Sequence, residues 1–311
     1  MKLDPTITIV IPVYNRAKII VNAIESVLSQ SHSAHEIIVV DDGSTDEIQS
    51  TVANLNTNSK IPIYLIRQTN SGPSTARNRG AVAANSIFVL FLDSDDRLLP
   101  DAIYHLYTAL KTNEVDMVIG SRITILPSKK KRLTITKSLD KNNFKNFEDE
   151  LLSKRPTVGI GAAAVRRSFF IENPFPENIR ICEDLAFYAS AFLKGNCIAI
   201  KKPLVEIDQI MHHEFQDPSL LFAEHQNAYK YAMMQMINGP QKQRLQKKLA
   251  PYPALRTFRE LHRAGLNNLA LRYYLQAFRI DPFASLQISY LRKFLRIIFG
   301  IRHPASFKHE H

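Results

Sequence analysis

A chain of 311 residues with 45% hydrophobic side chains can bury one large core, or a domain with an appendage. Its two cysteines, Cys182 and Cys197, exclude a disulfide framework and fit a reducing, cytoplasmic compartment. No window of about 18 apolar residues is present, which excludes a spanning helix, and Pro12 cuts the first apolar run too short for a secretion signal. The net charge of +11 belongs wholly to Gln241–His311, where fourteen Lys and Arg face three acids. That asymmetry points to an anionic partner, either a membrane surface or nucleic acid.

Residues 6–13 read as a buried strand, Tyr14-Asn15-Arg16 as a turn, and 17–30 as a helix with apolar Ile20, Ala23, Ile24, Val27 and Leu28. A second strand, 36–40, ends in Asp41-Asp42-Gly43-Ser44. Thr45-Asp46 then opens a helix, with Asp46 near the positive end of its dipole. Residues 63–66 form a third strand. A Gly72-Pro73 turn with Ser74 as N-cap starts a helix to Asn85. A fourth strand, 87–92, stops at Asp93-Ser94-Asp95-Asp96. Strands alternating with helices predict a mostly parallel sheet with right-handed crossovers. Ligands gather beyond the carboxyl ends of such strands, where Asp41, Asp42, Asp93 and Asp95 are predicted. Further on, the pattern predicts a helix over 100–112, a strand over 116–120 and a late strand over 158–165. It also predicts a loop or hairpin tip bearing Lys129-Lys130-Lys131-Arg132, and a helix from Glu183 to Leu193 after the Pro174/Pro176 loop. Residues 218–238 and 241–311 read as helical, interrupted near Pro251–Pro253 and Asp281–Pro282. Within them, 264–282 reads as two short antiparallel helices, and Tyr290–Phe299 as a basic amphipathic stretch.

Three carboxylates following five apolar residues exceed what a helix cap needs. They suit Mg²⁺ or Mn²⁺ shared with a diphosphate at the sheet rim. Asp41-Asp42 is a strand-to-helix turn, or an acceptor for the imide N–H of a uracil. Arg77, one turn into its helix, lies on the surface, or pairs with phosphate or with the Asp cluster. Glu183-Asp184 is a dipole-stabilised helix start, or a carrier of a general base. His212-His213 are ordinary histidines, or supply one more metal ligand. Gly159-Ile160-Gly161-Ala162-Ala163-Ala164 matches G-x-G-x-x-A but lacks the flanking strand and helix, so a dinucleotide fold is rejected. No P-loop is present.

The run Ile9–Asn15, then Glu36–Asp46, Asn70–Gly80 and Phe91–Asp96, resembles in order and spacing the blocks of family-2 inverting glycosyltransferases. The likeness continues weakly to about His213. It implies the GT-A fold, a Rossmann-like and mostly parallel central sheet with flanking helices, here followed by a C-terminal helical extension. The implied organisation is a catalytic domain over 1–215, with its nucleotide part over 1–100 and its acceptor part over 101–215. A basic helical region spans 216–311. The resemblance further implies that Pro12, Tyr14, Asn15, Asp42 or Asp41, Arg77, Asp93 and Ser94 hold a nucleotide-sugar, in particular a UDP-sugar. Asp95 is the main ligand of Mn²⁺ or Mg²⁺, with Asp93 on ribose or metal. Asp184, or else Glu183, is the base, and His212 or His213 fills a later metal position. This chain reads Gln209-Ile210-Met211-His212-His213 where relatives carry Tyr-Arg-x-His.

The expected partners are the donor and a glycan or lipid-linked acceptor in surface-polysaccharide or lipooligosaccharide assembly, with no nucleic acid. Residues 285–311 face either a membrane surface or protein, including a second copy. The expected location is cytoplasmic, on the inner face of the plasma membrane if the tail docks there. Two other classes compete. A nucleic-acid binder would leave the strand-end acids unexplained. A sugar nucleotidyltransferase would want a Gly-rich loop where Pro12-Val13-Tyr14-Asn15 stands.

Overall fold

Every residue of β1 (Ile7–Val13) is buried, as expected of a strand covered on both faces. Ile7, Ile9, Ile11 and Val13 enter one apolar cluster and Val10 the other, because successive side chains leave a strand on opposite sides. α1 (Ile20–Leu28) covers the first face with Ile20, Ala23, Ile24 and Val27 at helical spacing. The alternation continues through β2 (Glu36–Asp41), α2 (Ile48–Thr57), β3 (Ile63–Arg67), α3 (Pro73–Ala83) and β4 (Phe88–Phe91). β1 pairs in parallel with β2 and β4, and β2 with β3. α3 approaches β1 so closely that a Cβ on Gly80 would stand 2.3 Å from Val10 Cγ1, which only glycine avoids. The computed structural model describes residues 4–57, 59–126, 128–153, 158–208 and 217–300.

β5 (Arg97–Leu98), α4 (Ala102–Thr112), β6 (Met117–Ile125), β7 (Lys131–Thr134), α5 (Asn143–Leu151), β8 (Ala163–Arg166), α6 (Arg167–Glu172), α7 (Glu183–Lys194) and β9 (Cys197–Asp208) complete the α/β unit. The strand order is β3-β2-β1-β4-β8-β6-β9-β5, with β7 on β6. The expected parallel sheet holds through β3-β2-β1-β4. Beyond β4 the sheet is mixed, because β8 runs antiparallel to both β4 and β6. The strand expected over 158–165 is formed only at Ala163–Arg166. Ahead of it Gly161 sits at φ +84°, with its Cβ position 2.7 Å from Val205 Cγ2. The glycines of the rejected dinucleotide motif thus let β9 pack closely. β9 itself is a 12-residue strand. Its Pro203 pairs with Ser121 where the β6 register shifts, a place where a missing N–H is tolerated.

Cα proximity divides the chain into two units: Met1–Ile125 with Lys130–Met211, and Leu126–Lys129 with His212–His311. Described elements of the second are α8 (Pro218–Met234), α9 (Pro240–Leu249), α10 (Tyr252–Arg263), α11 (Asn267–Ile280), α12 (Pro282–Ser285) and α13 (Ile288–Ile298). The expectation of two helices within 264–282 is corrected. α11 runs unbroken to Ile280, and the turn falls earlier, at Gly265 with φ +77°, so the antiparallel pair is α10 with α11. The expected break at Pro251–Pro253 is the start of α10, where the first turn tolerates proline. Among the described residues, no helix is long and apolar enough to cross a membrane.

Candidate active site

β1, β2 and β4 end side by side, so their following residues share one rim. Val13 pairs with Asp41, and Asp93 follows two residues after β4. Pro12 is a buried member of β1 opposite Val40. Tyr14 beyond it is 48% exposed. Asn15 takes a left-handed conformation, φ 50°, which asparagine tolerates. There its N–H donates to Ser44 Oγ at 2.9 Å and its Oδ1 accepts from Thr45 N at 2.8 Å, tying the β1 and β2 loops together. Asp46, expected at the head of its own helix, instead accepts from Ala17 N at 2.7 Å, and α2 starts at Ile48.

Asp41 and Asp42 are both buried and do different work. Asp41 Oδ1 accepts from Ser44 N at 2.8 Å, while its Oδ2 has no hydrogen-bond partner and lies 3.5 Å from Arg67 Nε. Asp42 accepts from Gln68 Nε2, Ser71 N and Gly72 N, each at 2.8 Å. It therefore fixes the loop that launches α3. Ser74, expected as the N-cap, lies inside the first turn. Gly72 is the cap residue, Pro73 follows it, and the Ser74 hydroxyl is buried without a partner.

α3 delivers Arg77 to the rim, only 4% exposed. Its Nη2 donates to Asp93 Oδ1 at 2.7 Å and its Nη1 to Glu183 Oε1 at 2.8 Å. Of the readings open for Arg77, the Asp-cluster pairing is the one present. Burial works against its charge, but Asp93 and Glu183 outweigh that and raise its pKa. The neighbouring Asn78 donates to Phe175 O and accepts from Phe175 N, both at 3.0 Å. The Phe175 ring lies under the Arg77 guanidinium, 5.3 Å from centroid to Cζ. These anchors clamp the proline-rich loop and so present the start of α7. Glu183 is largely buried, its side chain 12% exposed. Burial pushes it up to about 7, Arg77 opposes and Asp184 adds to the rise. Asp184 Oδ1 accepts from Leu185 N at 2.7 Å.

The remaining acids crowd together. Asp95 pairs with Arg16 at 3.0 Å, and the same Nη1 reaches buried Ser94 Oγ at 3.4 Å. Burial raises Asp95, Arg16 opposes this, and Asp93 adds to it. Asp96 accepts from Asp208 N at 3.2 Å. Burial together with Asp93 and Asp95 holds its pKa well above the usual carboxylate range. Arg16 is a functional candidate that sequence reading left out of the site, and Asp96, read there only as one of three clustered carboxylates, is tied to β9. Arg16 was legible only as a turn residue, although it follows Tyr14-Asn15 directly.

Among the described residues, no three His, Cys, Asp or Glu side chains converge as a metal cage. His212 and His213 lie outside the described residues. The donor set nevertheless fits a hard cation. Asp93 and Asp95 offer carboxylate oxygens, and Asp95 and Asp96 are raised chiefly by burial, with neighbouring acids adding to it, so a cation there would offset the cost of their ionisation. Mg²⁺ and Mn²⁺ commonly take one or two carboxylates, with water and phosphate completing the shell.

The fold is a mixed α/β sheet that gathers acids and guanidinium groups at the ends of its parallel strands. The family model described as glycosyl transferase family 2 matches residues 8–173, more than half of the sequence, and the chain belongs to that family. A glycosyltransferase of Rickettsia felis is 33% identical over 66% of this chain and 33% of its own length. A poly(ribitol-phosphate) beta-glucosyltransferase of Bacillus spizizenii is 30% identical over 62% of this chain and 30% of its own length. The match thus spans about a third of each curated relative. The crystal structure of S. aureus TarS 1-349 in complex with UDP-GlcNAc superposes with a TM-score of 0.63. It is 16% identical and covers 95% of this chain and 80% of that one, which supports the fold.

Proposed function

We propose that the protein is a metal-dependent inverting glycosyltransferase. It would move a sugar from a UDP-sugar to a hydroxyl of a glycan or lipid-linked glycan in surface-polysaccharide assembly. The observation carrying this reading is the Asp93–Arg77–Glu183 bridge, which joins the strand-end acid cluster to the start of α7. It couples a donor-binding rim to a pair of acids suited to proton transfer. Support for the donor comes from TarS, which was crystallised with UDP-GlcNAc. Support for a hydroxyl-rich acceptor comes from the B. spizizenii relative named for poly(ribitol phosphate). A lipid-linked acceptor would bring the enzyme to the inner face of the plasma membrane.

In this reading Asp41 Oδ2, which has no hydrogen-bond partner, receives the imide N–H of the base. Asn15 and Tyr14 line the nucleotide beside Pro12, and Asp93 faces the ribose or the cation. Asp95, with Asp93, would hold Mn²⁺ or Mg²⁺, which when bound offsets charge on the departing diphosphate. Arg16, displaced from Asp95, is a second positive charge at hand for the diphosphate. Asp184 takes the proton of the acceptor hydroxyl, which attacks the anomeric carbon opposite the leaving group. Glu183, fixed by Arg77, orients the start of α7. Positioning and fixed charge carry most of the rate in such displacements. A thermal-shift panel of UDP, GDP and CDP sugars, with and without Mn²⁺, tests base, sugar and metal together. Stabilisation by UDP-sugars that needs Mn²⁺ is expected. A flat panel would remove the reading.

A further inference from the structure

α13 is apolar on two faces. Tyr290, Phe294 and Ile297 form the inner one, where Tyr290 is buried and Phe294 stacks on Tyr274 with centroids 4.4 Å apart. The outer face carries Ile288, Leu295 and Phe299, which are 67%, 40% and 71% exposed. At the helical repeat these three fall within an arc of about 40°. Exposed Ile298 borders them on one side, and exposed Arg292 and Arg296 on the other. Just upstream, Phe283 is 87% exposed and Leu286 is also exposed. A surface helix ordinarily buries one apolar stripe and turns polar residues to water. Large side chains gathered on the outward face mark a contact surface.

Charge selects what covers it. Residues 241–300 hold twelve Lys and Arg against two acids, Glu260 and Asp281. Glu260 is engaged by Arg259 and Arg263, and Asp281 caps α12. A second copy would bring the same positive face against this one. Nucleic acid would match the charge and leave the apolar arc in water. An anionic bilayer satisfies both. We infer that α12 and α13 dock on an anionic membrane surface, with Ile288, Leu295 and Phe299 at the acyl boundary and Arg292 and Arg296 among the headgroups. The inference uses these helices alone and stands whether or not the UDP-sugar reading holds.

Flotation of the full chain with phosphatidylcholine vesicles, with and without phosphatidylglycerol, tests it. Capture is expected only with phosphatidylglycerol and should weaken with added salt. Replacing Arg292→Gln and Arg296→Gln together should lower partitioning about 25-fold, at roughly fivefold for each basic side chain. Leu295→Asp with Phe299→Ser should abolish capture and leave the melting temperature unchanged, since both side chains are exposed. Equal capture by neutral vesicles, or full capture of the variants, would overturn the proposal. So would a dimer in solution that Leu295→Asp dissociates, because a second copy would then cover the face.

Discussion

Two acids, one in each unit, sit beside arginines and are driven in opposite directions. Burial pushes Glu183 up to about 7, with Arg77, which it shares with Asp93, opposing the rise and Asp184 adding to it. Burial also acts on Glu260, but Arg263 and Arg259 outweigh it and hold that carboxyl down at about 2. The helical unit pairs several of its buried polar groups with one another. Arg256 donates to Tyr229 Oη at 3.0 Å, and His225 Nδ1 meets Thr257 Oγ1 at 2.8 Å. In the α/β unit burial raises Asp95 and Asp96 as well, with Asp93 adding to both shifts. Carboxyls raised together at strand ends mark a candidate functional site, whereas a matched ion pair marks structure.

If that contrast is right, substitutions at the rim damage function, and those in the helical network damage stability. The largest effect is expected for Asp184→Asn. Transfer should fall about 10³-fold, the usual share of a positioned base, with UDP-sugar binding retained. Normal turnover by this variant would move the base elsewhere. Asp95→Ala should weaken UDP binding about 100-fold with Mn²⁺ and little without it. Calorimetry showing equal affinities would detach the metal from Asp95.

The two glutamates should also differ in pH dependence. Glu183 is raised from 4.5, so the folded state keeps a proton that the unfolded chain releases. Its contribution is full below the unfolded pKa and is lost as pH rises through about 7. Glu260 is lowered from 4.5, so its contribution is present above that value and lost as pH falls through about 2. Glu260→Gln should therefore cost about 2 kcal/mol near neutrality, allowing for solvent screening of the exposed part of its side chain, and the deficit should vanish in acid. Glu183→Gln should remove part of the decline in stability between pH 4.5 and 7. Asp95 and Asp96, shifted in the same sense, would keep the rest. Parallel melting curves for the two variants across this range would erase the contrast.

The first four strands were legible because each is a predominantly apolar run ended by acids or a turn. Their parallel order follows from the intervening helices. α5 escaped notice because its sequence, Asn143 to Leu151, offers only Phe144, Phe147 and Leu151 amid charge. β9 escaped because Lys201, Lys202 and Pro203 interrupt its apolar alternation, and only a register shift in β6 admits the proline. The strand-end acids could be placed from spacing alone. Their partners could not. Arg77 and Glu183 are 106 residues apart in sequence, and nothing local pairs them. Arg16 reads as an ordinary turn residue until the fold sets it against Asp95.

The smallest effect concerns the residue just ahead of the two rim acids. Cys182, at the N-cap of α7, has φ 65° and ψ 26°, the left-handed region that residues with a Cβ avoid at a cost of about 1–2 kcal/mol. Glycine adopts this conformation freely but loses more chain entropy on folding. Cys182→Gly should therefore stabilise the protein by up to about 1 kcal/mol, and Cys182→Val should destabilise it by more than that. The catalytic readout then sharpens the comparison between the units. Strain that serves the rim holds Glu183 and Asp184 at a fixed angle to Arg77, so relieving it should lower turnover as the melting temperature rises. A glycine variant that is both more stable and equally active would show that the Asn78 and Arg77 anchors alone set the position of α7, and that the strained residue is incidental.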